Sequence, residues 1–323
     1  MNTYAKVIIP MASIDHEQSV KGTYAVISKM LKKGGIYELT EGRFEENLTR
    51  SYEEAQKLQQ KHLLKLVNLK KGNSFLDVGC GHGVLLREAK KQGILGIGIT
   101  LSEDQKEDHR GLETYVLNWR DILKNKPDWK NQFDAITAIG SLEHFVSPEE
   151  AKNGIQNEIY QAFFEVCFQL LKPEGKLIIT AINYLPEKVL NPIYATNSYL
   201  KPWRWFNKNQ FHLGSLAWLG GAYYPILGEL PPIGQKIGFH LIQEEDGTLD
   251  YHLTSEEWLR LLKEKMFQTN LAKEILQLFK QYPSHSVLGA FLCLIVFQSW
   301  NWQFRKQKNG GYPTKLVRYV WKK

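Results

Sequence analysis

The chain has 323 residues, 43% of them hydrophobic, with a net charge of +7. That length holds one large α/β domain with an elaboration, or two domains. The mild basic balance suits an acidic substrate or a membrane surface, but no compact Lys/Arg run with interleaved aromatics marks a nucleic-acid partner. Cys80, Cys167 and Cys293 lie far apart with no CxxC spacing. Neither a disulfide framework nor a metal site is expected, and a reducing cytoplasm is the default compartment. The longest apolar run, Val287 to Phe297, is 11 residues, where a membrane span needs about 20. A buried helix is expected there, with peripheral membrane contact as the lesser reading.

Residues 1–50 read as a helical N-terminal lid, with a helix from His16 to Lys33 stopped by Gly34-Gly35. Ser51-Tyr52-Glu53-Glu54 is a capping box opening a helix to about Val67. Ser74 to Val78 is a first strand. It ends in Asp77-Val78-Gly79-Cys80-Gly81-His82-Gly83, followed by the helical pattern of Val84, Leu85, Leu86 and Ala89. Glycines let the chain turn sharply and let a ligand approach the main chain, and the helix amides behind them favour anionic groups. A dinucleotide fingerprint would read G-x-G-x-x-G. Here the third glycine comes one residue earlier and an acidic residue precedes the loop.

This spacing resembles motif I, D-x-G-x-G-x-G, of the class I S-adenosylmethionine (SAM) methyltransferases. The resemblance implies SAM as cofactor, with Asp77, Gly79, Cys80 and Gly81 beside its methionine end. It also implies a Rossmann-like α/β fold: a seven-stranded sheet with the last strand antiparallel, elaborated by N-terminal helical and substrate-covering segments.

Ile94 to Ile99 reads as a second strand. Gly98-Ile99-Thr100-Leu101-Ser102 with Gln105 resembles the G-V-T-L-S-x-x-Q stretch of cyclopropane fatty acid synthases and their methyltransferase relatives. That likeness sets Thr100, Leu101 and Gln105 along the SAM ribose. Ser102 and Gln105 also match a capping box, and both readings stand together. Glu113 to Leu117 is a third strand. Asn118-Trp119-Arg120 follows it, where the family has an aromatic on the adenine and polar neighbours at the base edge. Trp119 is read as stacking, with core filling as the alternative. Phe133 to Ile139 is the fourth strand, placing Ile139 by the cofactor and delivering Gly140-Ser141-Leu142-Glu143-His144-Phe145. This resembles the F-E-H segment of cyclopropane synthases and of plant alkaloid N-methyltransferases. Glu143 and His144 are therefore expected at the methyl acceptor, as a helix-start acid and a packed ring otherwise.

Glu149 to Leu171 is read as one long helix, then Lys176 to Ile182 as a fifth strand. Residues 183–232 are rich in Trp, Tyr, Phe and Pro. They read as a substrate-covering insertion, or as a satellite core. Gly238 to Glu244 is a sixth strand. Tyr251, in a stretch resembling H-Y-x-x-T-L-x-x-W of the same family, is expected in the active site. Thr254 and Glu257 are read as a capping box after it. Lys315 to Trp321 is a last strand. The units are thus 1–50, a SAM-binding core over 51–182, the insertion 183–232, and the rest of the methyltransferase domain over 233–323.

Two departures qualify the likeness. Cyclopropane synthases carry a cysteine in Y-S-C-A-Y and a histidine in H-T-I that help hold a bicarbonate base. Here Tyr37 to Ser51 lacks a cysteine, and Thr180-Ala181-Ile182 stands in place of H-T-I. The expectation is methyl transfer to N, O or activated C of a small-molecule or lipid-like acceptor. Cyclopropane synthesis is the second reading, and a non-catalytic SAM-binding partner protein is a third of another class.

Overall fold

The computed structural model describes residues 14–186, 208–266, 293–308 and 311–323. Seven strands form one sheet: β1 (Ser74–Val78), β2 (Leu95–Thr100), β3 (Glu113–Val116), β4 (Phe133–Ile139), β5 (Leu171–Tyr184), β6 (His240–Asp246) and β7 (Thr314–Lys322). Their order is β3-β2-β1-β4-β5-β7-β6. Strands β1 to β5 pair in parallel, while β7 runs antiparallel between β5 and β6. Parallel neighbours need crossovers, and the helices between them bury both faces. The central strands are accordingly short continuous apolar runs, with Phe75, Leu76, Ile136, Ala138, Leu177 and Ile179 all buried.

Helix α1 (Ile14–Lys33) packs outside this layer, and α2 (Tyr52–Leu66) opens with the expected box. There the Ser51 hydroxyl accepts from Glu54 N and the Glu54 carboxylate accepts from Ser51 N. Helix α3 (Val84–Lys91) follows the glycine loop.

Three local expectations are corrected. The single helix over 149–171 is two, Pro148–Lys152 and Gln156–Leu170. Gly154 sits between them at φ 76°, a left-handed conformation that ends a helix. Thr254 does not open a helix, because it lies inside Thr248–Met266. Its hydroxyl donates one turn back to Asp250 O (2.8 Å) and accepts from Gly42 N (2.8 Å). Gln105 turns its amide oxygen to the Thr100 hydroxyl (2.8 Å), while Ser102 N donates to that same hydroxyl (3.2 Å). The Ser102–Gln105 box gives way to a turn tied to the end of β2.

Within the 183–232 insertion, Tyr223, Tyr224 and Leu230 are buried in the main core, and Ile226 bridges to Tyr184. Trp203, Trp205 and Phe206, and most of the apolar run at 287–297, lie outside the described residues. Among the described residues, no helix is long and apolar enough to cross a membrane.

Candidate active site

The carboxyl ends of β1, β2 and β4 open into a cleft of about 1370 Å³, mouth included. Open α/β sheets bind ligands at this position. The three loop glycines do different work. Each has positive φ: 80° at Gly79, 51° at Gly81 and 72° at Gly83. A Cβ on Gly79 would fall 2.5 Å from Ser141 Cβ, and one on Gly83 would fall 2.7 Å from Leu112 Cδ1. Packing demands glycine at Gly79; at Gly83 the end of the Leu112 side chain can move, and the left-handed backbone is what favours glycine. A Cβ on Gly81 would meet nothing within 4 Å. Gly81 is the glycine that leaves space over the loop; at Gly79 the space is taken by Ser141.

What holds this loop carries no local motif. His109 is buried, with Nε2 2.8 Å from Gly81 O and Nδ1 3.1 Å from Thr114 Oγ1. His82 Nδ1 meets Asp108 Oδ2 at 2.7 Å, and Lys32 of α1 pairs with the same carboxylate.

Asp77 lies at the end of β1, buried, accepting from the Thr137 hydroxyl (2.7 Å). Burial pushes its carboxyl up to about 7; the Thr137 bond opposes this and the nearby charge of Glu38 adds to it. Burial likewise pushes the Cys80 thiol up, so it is an inert wall. Thr100, Leu101 and Gln105 line the cleft at the end of β2, and Ile139 at the end of β4. Asn118 caps the short turn after β3: its Oδ1 accepts from Arg120 N (3.0 Å), and its amide donates to Glu17 of α1. Arg120, expected at a base edge, is held by Phe145 O (2.7 Å) and Glu150 (3.2 Å). Trp119 stands at the edge of both cleft and core. It lines the cleft, and its ring packs on Phe145 and Phe163 at 5.2 and 5.4 Å between centroids.

The expected acceptor-side residues separate. Leu142–His144 is one turn of 3-10 helix, so neighbouring side chains point different ways. His144 lines the cleft, with Nε2 2.6 Å from the Tyr24 hydroxyl of α1. His16 Nε2 reaches the His144 carbonyl at 3.0 Å. Glu143 faces the layer behind. Its Oε1 accepts from Ile182 N (2.8 Å), and its Oε2 is buried with no partner. Burial pushes the carboxyl up to about 7, the Ile182 bond opposing and the Glu41 charge adding. Tyr251 is not in the cleft wall either. It stacks on Phe304 at 4.5 Å and donates to Leu39 O (3.3 Å). The charge of Glu143 nonetheless acts on both Tyr24 and Tyr251, so the carboxyl sits between cleft and core. Thr180 is fully buried, and its hydroxyl accepts from Gly140 N (3.1 Å). Among the described residues no group of three or more His, Cys, Asp or Glu side chains could hold a metal ion.

Residues 42–290, about three quarters of the chain, match the family model of mycolic acid cyclopropane synthetase. The chain belongs to that family. It is 26% identical over 206 residues to cyclopropane mycolic acid synthase 3 of Mycobacterium tuberculosis, a match spanning 61% of this chain and 64% of that protein's length. The structure of mycolic acid cyclopropane synthase CmaA1 complexed with SAH and CTAB superposes with a TM-score of 0.69 at 19% identity, covering 98% and 100% of the two chains. Coclaurine N-methyltransferase bound to N-methylheliamine and SAH superposes at 0.63 with 16% identity, over 96% and 86%. The strand order and the antiparallel β7 are those of the class I methyltransferase fold.

A family member that stacks Trp119 on an adenine loses affinity with the ring. Trp119→Ala is expected to weaken S-adenosylhomocysteine binding by about 10- to 100-fold in calorimetry. A lower melting temperature with unchanged affinity would leave Trp119 as core alone.

Proposed function

We propose that this protein is a SAM-dependent methyltransferase acting on a bulky, apolar small-molecule or acyl-chain acceptor, without closing a cyclopropane ring. The observation that carries the reading is Glu143: a buried carboxyl beside the cleft wall, raised in pKa, with Oε2 left unpartnered. Buried polar atoms are rarely left so, and those that are tend to mark function.

The residues present fit the cofactor. Gly81 gives open space over the loop, and Thr100 and Gln105 present oxygens beyond β2. Among the described residues the charge acting on Asp77 is that of another acid, Glu38, which suits an ammonium group. When bound, SAM supplies the electrophilic methyl. The chain supplies position and dryness. Helix α1 walls the cleft through His16, Glu17, Val20 and Tyr24. Glu143 Oε2 accepts the acceptor's proton, and His144, fixed by Tyr24, orients the acceptor. Tyr251 lies near enough to feel the Glu143 charge. Tyr223 and Tyr224 of the insertion pack behind that carboxyl: Tyr223 N donates to the Glu143 carbonyl and the Glu143 charge acts on Tyr224.

Ring closure needs a base that takes a proton from a methylated carbocation. Thr180 offers a hydroxyl committed to Gly140 N, not an imidazole, and residues 37–51 hold no cysteine. Cyclopropane synthesis stays as the second reading because the family's curated relatives carry that name. Proton NMR of products from methyl-labelled SAM separates the two. Ordinary methyl signals from an alkene or small-molecule acceptor, absent with Gly81→Val, are expected. Upfield ring-methylene signals stimulated by bicarbonate would replace this reading with the second one. Turnover undiminished in a folded Gly81→Val variant would remove the cofactor assignment.

A further inference from the structure

Behind Glu143 lies a group of buried hydroxyls that the reaction above does not use. Tyr160 of the Gln156–Leu170 helix, Tyr184 at the end of β5 and Tyr224 of the insertion are 0%, 0% and 1% exposed. Their hydroxyls are buried with no partner, like Glu143 Oε2. A buried tyrosine hydroxyl normally finds one, and phenylalanine would fill the same space without stranding it. The four atoms share one neighbourhood. Ile182 N, two residues before Tyr184, donates to Glu143 Oε1 (2.8 Å), and Tyr223 N donates to the Glu143 carbonyl (2.9 Å). The Tyr184 ring lies 5.0 Å from that of Tyr224 and 5.5 Å from that of Tyr223, between centroids. The Glu143 charge acts on both Tyr160 and Tyr224.

The group reaches the surface at Glu229. This residue is partly exposed, and its Oε2 accepts from Ile226 N (2.8 Å). Its charge acts on Tyr160 and Tyr223. Burial raises its carboxyl pKa, against bonds from Ile226 N and Gln156. Two acids thus bracket the tyrosines, one beside the cleft and one at solvent. Glu143 does not line the cleft itself.

We infer that Tyr160, Tyr224 and Tyr184 carry the acceptor's proton from Glu143 out to Glu229, an inference that rests on Glu143 as the proton acceptor. The acceptor gives up one proton for the methyl group it gains. Glu143 Oε2 takes that proton and becomes a neutral acid, which must be emptied before the next turnover. A hydroxyl both donates and accepts. Each therefore passes its own proton outward as it takes one from within, directly or through a bridging water. Burial holds the three phenols far above their ordinary range, so none rests as a phenolate and no charge is stored on the way. Glu229 takes the last proton and gives it to solvent.

The test follows Glu143 itself, by infrared spectroscopy of its carboxyl stretch after a rapid pH jump from 5 to 8, with S-adenosylhomocysteine filling the cleft. Asp77, Glu41, Glu38 and Glu229 are raised as well, so the Glu143 component is the one missing from Glu143→Gln. Tyr184→Phe and Glu229→Gln are expected to slow that component by about 10²-fold or more, the loss of a placed proton carrier, with its midpoint still at about 7. Added imidazole should restore Glu229→Gln, whose exit is at the surface, and not Tyr184→Phe. Tyr184→Phe should melt no lower than the wild type, since the hydroxyl it removes has no partner. An unchanged rate in either variant would overturn the path. So would a shifted midpoint at an unchanged rate, the mark of residues that are only structural. Coincident spectra for the wild type and Glu143→Gln would instead remove Glu143 as the group that ionises, and with it the reading beneath this inference.

Discussion

Glu143→Gln is expected to bind S-adenosylhomocysteine like the wild type and to turn over about 10²–10⁴-fold more slowly, the range lost with a general base. Binding is preserved because Glu143 stands behind the cofactor cleft rather than in its wall, with Ile182 N on Oε1. Glutamine keeps an oxygen for that bond but has no basicity at the other position. Wild-type kcat/KM should rise with pH through about 7, where burial has moved this carboxyl, and the rise should vanish in the variant. Stability moves the opposite way. Folding favours the protonated form, so this contribution is full below the unfolded carboxyl range and is lost as pH climbs through about 7. The variant has no such charge to bury. Its melting temperature should therefore exceed the wild type's at pH 8 by more than at pH 5. Undiminished turnover of Glu143→Gln on every acceptor the wild type accepts would end the proton-accepting role and favour His144, which does face the cleft.

The sheet was legible because its strands are short apolar runs with clear stops. β1 and β4 begin and end where Ser74–Val78 and Phe133–Ile139 were expected. The others differ mainly at their ends, where apolar runs fade into turns; β5 extends beyond the expected 176–182 at both ends. The glycine loop was legible as a ligand-binding turn, yet sequence could not say that Gly79 is required by Ser141 and Gly81 by open space. That difference depends on a residue 62 positions away. The same limit applies to Glu143 and His144, since which one faces a cleft is set by how a single 3-10 turn docks. The N-terminal wall was hardest. Tyr24, Glu17 and Glu38 touch the cleft from a weakly patterned helix and an irregular segment. The partners of Tyr24 and Glu17, His144 and Asn118, lie more than 100 residues onward. No local period encodes such pairs.

Arg318→Met is expected to destabilise the fold by about 3–5 kcal/mol at pH 8, the cost of stripping one partner from a buried ion cluster. Arg318 has 0% exposure on β7. Its Nε meets Glu41 at 3.0 Å, one terminal nitrogen meets Asp250 at 2.9 Å, and the other meets Glu245 at 3.5 Å. Burial alone would lower the guanidinium pKa; Glu41 and Asp250 outweigh it and leave it raised. Glu41 is 1% exposed, and burial has pushed its carboxyl up to about 6 even against Arg318. Without Arg318 that carboxyl moves further up. A raised carboxyl withholds its stability as pH rises through its folded value, so the variant's deficit in urea denaturation should be smaller at pH 5 than at pH 8. Glu41→Gln in the same chain should recover part of the loss, because an amide in that place leaves no buried charge. Recovery will be partial, since Asp250 still lacks its partner. A single-variant deficit under about 1 kcal/mol at pH 8, the level of an exposed pair, would show the cluster to be solvated. The consequence for the cleft follows from connectivity: Glu41 holds Gln59 and continues directly into Glu38–Thr40. Loss of Arg318 should therefore weaken S-adenosylhomocysteine binding as well, from a position on β7, outside the cleft lining.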